Sequence, residues 1–423
     1  MRIPAKQHVK RSSRAPLEAL TLVSLAFGTV TACSNLLDVE LPTKVSAEAL
    51  DDPALAQALV NSAVGEFECA FANYVPATGE LTDELRHSSG WLAMTIWDER
   101  KVTQDNDNGT CNQAIGHAVY TPLHKARFAA EDTKRRLEAW TDAQVPDRAK
   151  RIATVTAYAG YARILLGEAF CEMAIDVGPK MNRAEVLQTA EPLLGDAITK
   201  ANAAGLVDIE RMARVGRARV RLNLGNKAGA KQDALLVPPG FKQTAKYSSA
   251  DRYRYNWVYQ HNYIDAFISV SNEFVDVKFG GVPDRRVQVV ASPIKGHNLS
   301  DIWRQTKYTG STSPITIASW EEAQLIIAEV DLGQSAVNII NGLHDAVGLP
   351  HYVPNNVADN AEILKQVIQE RSRQLFLEGH RLNDFLRHGL PFATGPSPYT
   401  GVVYGPTTCL PLPRSETSGN PNF

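Results

Sequence analysis

The chain has 423 residues, 44% of them hydrophobic and 21% charged, and its 44 Lys and Arg against 46 Asp and Glu leave a formal net charge of -2. That balance, with a pI near 6.6, gives no charge-driven reason for binding nucleic acid or an anionic membrane, and no long like-charge tail is present. The composition is ordinary for a soluble globular protein, and the length allows a large core in one domain or two.

The first segment reads as a targeting signal. Lys6, Lys10, Arg11 and Arg14 form a basic n-region, followed by a mostly apolar run from Ala15 to Ala32. The run is interrupted by Glu18 and is short for a membrane span, which needs about 20 apolar residues. It ends in Val30-Thr31-Ala32-Cys33, which resembles a bacterial lipobox; residues 1–32 are then a lipoprotein signal peptide and Cys33 the lipid attachment site. Ser34 rather than aspartate follows, which by resemblance to other lipoproteins implies export to the outer membrane. Cys69, Cys111, Cys171 and Cys409 remain, and in an exported chain four cysteines allow two disulfides in three connectivities. None has C-x-x-C spacing and no histidine lies close enough to suggest zinc, so no metal or cofactor is expected.

After an extended tether, a helix is expected from near Ser46 or Asp52, with helical pattern over 53–72 and loop signals over 73–112. The run QDNDNGT places Asp105, Asp107 and Gly109 roughly as a calcium loop does. The glycine is one place off and the terminal glutamate is missing, which makes it an Asx-rich turn. From Tyr120 helices dominate: two amphipathic segments joined at Thr141–Pro146, a third over Ala184–Ala204, and a tetratricopeptide-like hairpin over 208–236. There Ala218 and Ala230 flank the turn glycine Gly225 where close helix approach needs small residues. ITIASWEEAQLIIAEV and SAVNIINGLHDAVG repeat the helix-turn-helix plan around Gly333.

Residues 238–314 break that plan with prolines and β-branched runs, and hold 12 of the 32 aromatics within 68 residues, where an even spread would place about five. Tyr253, Tyr255, Trp257 and Tyr259 alternate with other residues, a period of two that predicts four rings on one side of an extended segment. Such rings stack on the C–H faces of sugars while neighbouring polar groups take the hydroxyls. Trp257, Tyr255, Tyr259, Trp91, Trp97 and Trp303 are therefore the candidate ligand-binding residues, the alternative being that the stripe is the buried face of a small sheet. No nucleophile elbow, H-E-x-x-H, phosphate loop or dinucleotide fingerprint occurs, so no catalytic residue is assigned.

The stretch from Asp359 to Gly389 reads as one long helix. Asp359 and Glu362 form a capping box, Gly389 closes it and Pro391 forbids continuation. Leu364, Ile368, Leu375, Leu382 and Leu386 mark a buried face, with Arg371 in the stripe and Glu378, Arg381, Asp384 and Arg387 beside it at three-residue steps. A structural ion-pair network is expected there.

Within it, ERSRQLFLEGHRLNDFLRHG resembles the ERR-x-EL-x-x-EGHR-x-x-DL-x-R helix of the SusD/RagB family, and CLPLPRSETSGNPN is similar to that family's PIP-x-SE-x-x-x-NP ending. The likeness extends to the tether, to KARFAAEDTKRRLEA, to the Ala218/Gly225/Ala230 hairpin, to PDRR at Pro283–Arg286 and to EEAQLIIAEV. It departs at Ser319, where many members carry arginine, at the cost of an ion pair. The resemblance implies a mostly α fold: a tetratricopeptide-like helix-hairpin scaffold over about 46–237 and 315–390, a smaller aromatic-rich loop and β insert over about 238–314, and a docking tail at 391–423, together a single domain from 33. It implies a non-enzymatic, surface-exposed outer-membrane lipoprotein that captures oligosaccharide, sometimes peptide, for a TonB-dependent SusC-like transporter. A glycan hydrolase, or a scaffold lipoprotein without a small ligand, are the alternatives. With the tail expected to dock on the core, Cys171 should pair with Cys409, and Cys69 with Cys111 across its loop-rich segment.

Overall fold

The computed structural model describes residues 47–107, 109–111 and 116–423, so the signal segment and Cys33 lie outside the described residues. The chain divides into two units, Met1–Leu50 and Asp51–Phe423. Of the first, only 47–50 are described, where a 3-10 turn opens at Glu48. All that follows concerns the second.

Its scaffold begins where the Asp52 carboxylate accepts the Ala54 N–H (2.9 Å) and starts a 3-10 turn that leads into α1, Ala56–Glu80. The helix runs eight residues past the expected boundary, straight through Pro76. A short strand β1 (Leu85–His87) and α2 (Leu92–Asp98) precede α3 (Tyr120–Ala139) and α4 (Arg148–Ala169). A two-residue ribbon, β2 (Glu172–Met173) with β3 (Met181–Asn182), introduces α5 (Arg183–Ala203), which the Asn182–Glu185 capping box starts. The hairpin of α6 (Val207–Asn223) and α7 (Lys227–Ala234) turns at Gly225, with Ala218 and Ala230 fully buried between the helices. Each helix packs on its chain neighbour, from α3 through α7, and α1 closes on α3. That is the serial arrangement of tetratricopeptide-like pairs. Close approach has a visible cause at Gly216, where an added Cβ would sit 2.7 Å from the Tyr161 ring.

The insert hangs from a two-stranded clamp. β4 (Lys242–Ala245) pairs antiparallel with β10 (Ile315–Ser319), so the start of ITIASWEEAQLIIAEV is strand, not helix. Five buried, largely β-branched positions suit it to that sheet. Ser319 then caps α9 (Trp320–Asp331) through its Oγ, which accepts the Glu322 N–H at 3.1 Å. Within the insert, a 3-10 turn (Arg252–Arg254), the single turn α8 (Trp257–Tyr259) and a π turn (Gln260–Ile264) occupy the segment expected to be extended. The cause is local: Asn256 accepts the Tyr259 N–H (3.1 Å) and caps a helical turn, which overrides the period-two pattern. After it come β5 (Ile268–Val270), the ribbon β6 (Lys278–Phe279) with β7 (Val282–Pro283), and the hairpin β8 (Val289–Lys295) with β9 (Asp301–Gln305).

The C-terminal part carries α10 (Gly333–Asp345), α11 (Asn360–Gln374), α12 (Arg381–His388) and α13 (Arg414–Gly419). The expected single helix from Asp359 is thus two. Leu377 and Gly379 adopt left-handed φ of 57° and 79°, and Gly379 lies so close to Tyr74 that a Cβ would meet its ring at 3.0 Å. Asp359 does cap α11, but Glu362 turns back to Asn355 and Asn356 instead of completing the box. Gly389 ends α12 at φ 63°. On α11 the buried face is Ile363, Val367, Glu370 and Arg371, while Leu364 and Ile368 are only half-buried.

The charged ladder reaches outward to other elements more than along its own helix. Asp384 holds Arg371 (3.0 Å) and Arg387 (3.2 Å), Arg387 chelates Glu329 on α9, Arg381 chelates Asp83 (2.7 and 2.6 Å), and Glu378 takes Lys307 (2.8 Å). Burial opposes ionisation of Glu329 and Asp384, yet the arginines beside them, with His388 at Glu329, hold both below the usual carboxylate range. Disulfides join Cys69 to Cys111 and Cys171 to Cys409, with Cα separations of 5.9 and 5.1 Å. Beside the second, the Leu410 N–H donates to Ala169 O and the Cys171 N–H to Leu410 O, so the tail is sewn to the end of α4.

Candidate functional site

Three short strands set the site. β1 pairs with β5, placing Arg86 opposite Ser269, and the Ser269 Oγ accepts the Trp303 N–H of β9 at 2.8 Å. Arg86 is almost wholly enclosed. It donates to Ser300 Oγ (3.3 Å) and to the Asp301 carbonyl, and its guanidinium lies 4.2 Å over the Tyr399 ring. This is a preorganised cation on an aromatic face. Burial lowers its basicity, and the Nε finds no hydrogen-bond partner among the described residues. Tyr399 comes from the tail, where its hydroxyl accepts the Asn272 N–H (3.2 Å).

Around these groups lie two hollows that share Tyr399 as a wall. The shallower, about 590 Å³, is lined by Arg86, Asn272, Ser300, Asp301 and Trp303. The deeper, about 300 Å³, holds Asp98, Arg100, Glu273, Phe392 and Tyr404, with Asp83 at its edge. Arg100 is held by the Ala393 carbonyl and flanked by the Phe392 and Tyr404 rings, each 5.4 Å away. Asp98 accepts the His87 N–H (3.1 Å); burial, then the nearby Glu80, raises its pKa well above the usual carboxylate range. Glu80 itself is sealed against His117 (2.5 Å), and burial drives the acid's pKa up and the imidazole's down to about 3. Aromatic faces next to convergent donors and acceptors bind ligands that are apolar on one side and polar at the edge.

The candidate residues separate in space. Trp257 and Trp97 are fully buried: the first stacks on His261 at 4.9 Å, the second meets His117 edge-on at 5.2 Å, and neither presents a face outward. Tyr255 and Tyr259 are half-buried against the core, and Tyr259 stacks on Tyr263 at 4.8 Å instead of joining a row with Trp257. Trp303 opens on the shallower hollow. Trp91 is 52% exposed, and its loop is tied to the β8–β9 turn, since the Asn298 N–H donates to Ser88 O at 3.2 Å. Arg86, Arg100, Tyr399 and Tyr404 were not legible as site residues. They come from segments some 300 positions apart, and the rings and prolines at 391–404 are the sequence signal that could have pointed to the tail. The Asp105–Asp107 turn is a capping device: Asp107 accepts the N–H groups of Val119 (2.8 Å) and Tyr120 (2.9 Å) at the start of α3. Among the described residues no cluster of three acids, histidines or cysteines could hold a metal ion, and no helix is long and apolar enough to cross a membrane.

Residues 322–421 match the model of the SusD family. No curated protein matches the chain. Among solved structures, a SusD-like carbohydrate binding protein from Bacteroides vulgatus superposes with a TM-score of 0.65 at 14% identity, covering 88% of this chain and 97% of its own. Surface glycan-binding protein A from Bacteroides uniformis gives 0.65 at 13%, covering 88% and 98%. A putative sugar binding protein from Bacteroides vulgatus gives 0.67 at 14%, covering 87% and 97%. At these identities the likeness to each is one of fold. Residues 322–421 thus carry the signature of the SusD family, and the chain as a whole shares the fold of SusD-like structures.

Proposed function

We propose that the protein is a lipoprotein of the outer membrane, anchored through Cys33 and facing the cell exterior, which captures nutrient oligosaccharide at the hollows around Tyr399 and passes it to a TonB-dependent SusC-like transporter. The observation that carries this reading is the convergence of Arg86, Asn272 and Asp301 on the rings of Trp303 and Tyr399 at an open surface. The names of the three fold neighbours, which describe carbohydrate, glycan and sugar binding, support the ligand class. A glycan array probed with the mature protein tests capture, and Trp303→Ala and Tyr399→Ala should each weaken the strongest signal at least tenfold. The anchor is tested by Cys33→Ser. Two acyl chains hold a protein on a membrane where one gives marginal binding, so the variant should move to the soluble fraction. Pull-down from detergent-solubilised membranes should bring a TonB-dependent transporter with it.

A hydrolase is the second reading, because the deeper hollow brings Asp98 and Glu273 together beside aromatic rings, as paired carboxylates are in glycosidases. Capture is preferred: Asp83 is spent on Arg381 and Asp98 is sealed at 5% exposure. Release of new reducing ends from a bound glycan would reverse that preference.

A further inference from the structure

The two hollows differ in a way that bears on how a saccharide would lie. The shallower is wide and open along the strand edge. The deeper is about 300 Å³, at the lower end of the roughly 300–1,000 Å³ usual for small-molecule sites. It is walled by Phe385, Pro391 and Phe392 on one side and by Pro398, Tyr399 and Tyr404 on the other. In its wall sit Asp98 and Arg100, each only 5% exposed. The Arg100 Nε has no hydrogen-bond partner among the described residues, although the guanidinium is fixed between two rings. A buried donor left unpaired costs stability, and a ligand hydroxyl would relieve it. Successive residues of one loop serve both hollows: Ser271 and Glu273 line the deeper, Asn272 the shallower. A chain seated with one end in the deeper hollow therefore continues past Tyr399 onto Trp303.

Resting on the capture reading, we propose that the deeper hollow is an end pocket: it takes the terminal unit of a saccharide chain, whose hydroxyls meet Arg100, while the following units cross Tyr399 toward Trp303. Its size admits one or two sugar rings and it is the smaller and more enclosed of the two hollows, so the protein would recognise chain ends and not chain interiors.

Isothermal titration of the mature protein tests this through stoichiometry. The probes are linear hexasaccharides of β-1,4-glucose, α-1,4-glucose, β-1,4-xylose, β-1,4-mannose and α-1,4-galacturonate, each beside a soluble polymer of the same linkage. The expected result is one protein per chain for hexasaccharide and polymer alike, with Arg100→Ala and Tyr404→Ala each weakening binding at least tenfold. Several proteins bound along each polymer chain would overturn the end pocket and leave capture standing. So would unchanged affinity in either variant. If Arg100→Ala fails to fold, since that side chain also anchors Ala393, the wild-type stoichiometry and Tyr404→Ala still decide. Binding to none of the probes would overturn capture and end pocket together.

Discussion

At α12 the buried arginines are met by carboxylates, whereas around Tyr399 they are met by uncharged oxygens. Asp384, 1% exposed, is held by Arg371 and Arg387, and Arg387 by Glu329. Arg86 and Arg100 are as deeply buried, but each is held largely through backbone carbonyls, and each has an Nε without a protein partner among the described residues. Burial alone therefore does not distinguish the two regions; the partner does, a carboxylate neutralising the charge at α12 and uncharged carbonyl or hydroxyl oxygens holding it around Tyr399. Aromatic rings divide as well. Trp257 is spent on the core, and Trp303 keeps a face toward the hollow.

The comparison predicts effects of graded size. Asp384→Ala should destabilise most, by about 3–5 kcal/mol in chemical denaturation, because it strands the buried Arg371 guanidinium and leaves Arg387 to Glu329 alone. Trp257→Ala should cost about 3–5 kcal/mol as an aromatic cavity, and any binding it loses should be recovered in proportion to the folded fraction. If Trp257→Ala instead melted like the parent and lost binding, the assignment of that ring to the core would fail.

Glu84 is a smaller test, read through pH. Burial raises its pKa to about 8, from an ordinary value of 4.5. With the folded value above the unfolded one, its contribution is fully present below pH 4.5 and is lost as pH rises through 8. The parent should thus lose stability relative to Glu84→Gln, by roughly 2–4 kcal/mol between pH 5 and 8. A constant difference between the two melting curves across that range would show the carboxyl to be ionised throughout. Smallest in stability should be Trp303→Ala and Trp91→Ala, each under about 1 kcal/mol, as for partly exposed side chains. A large loss of stability in either would move that ring to the structural side of the comparison.

Much of the scaffold could be read from local pattern because its determinants are local. Ala218, Gly225 and Ala230 specify a tight hairpin, and Gly389 a helix end, within a few residues of where they act. The break between α11 and α12 was hidden, since Leu377 takes a left-handed conformation that leucine seldom adopts and only Gly379 gave a sign of it. The rings of Tyr253 to Tyr259 misled for a related reason: the pattern alternated, but the caps at Asp251 and Asn256 wound the segment into turns. The site was the least legible. Arg86, Trp303 and Tyr399 become neighbours only through β1–β5 pairing, the β5–β9 contact and the docking of the tail, and no local periodicity encodes those meetings.

The stitched tail has a consequence for biosynthesis. Synthesis proceeds from the N-terminus, so the segment carrying Phe392, Tyr399 and Tyr404 emerges after the helices it docks on, and it is flanked by the helix end at Gly389 and by the bond between Cys171 and Cys409. The helices can pack beforehand, whereas the wall between the two hollows gains its covalent tie only when the thiols, 238 residues apart in sequence, are oxidised. If the chain matures in an oxidising compartment, that tie forms only there, and a copy cut short before Cys409 would keep the helices and lose the bond that fixes the tail to α4.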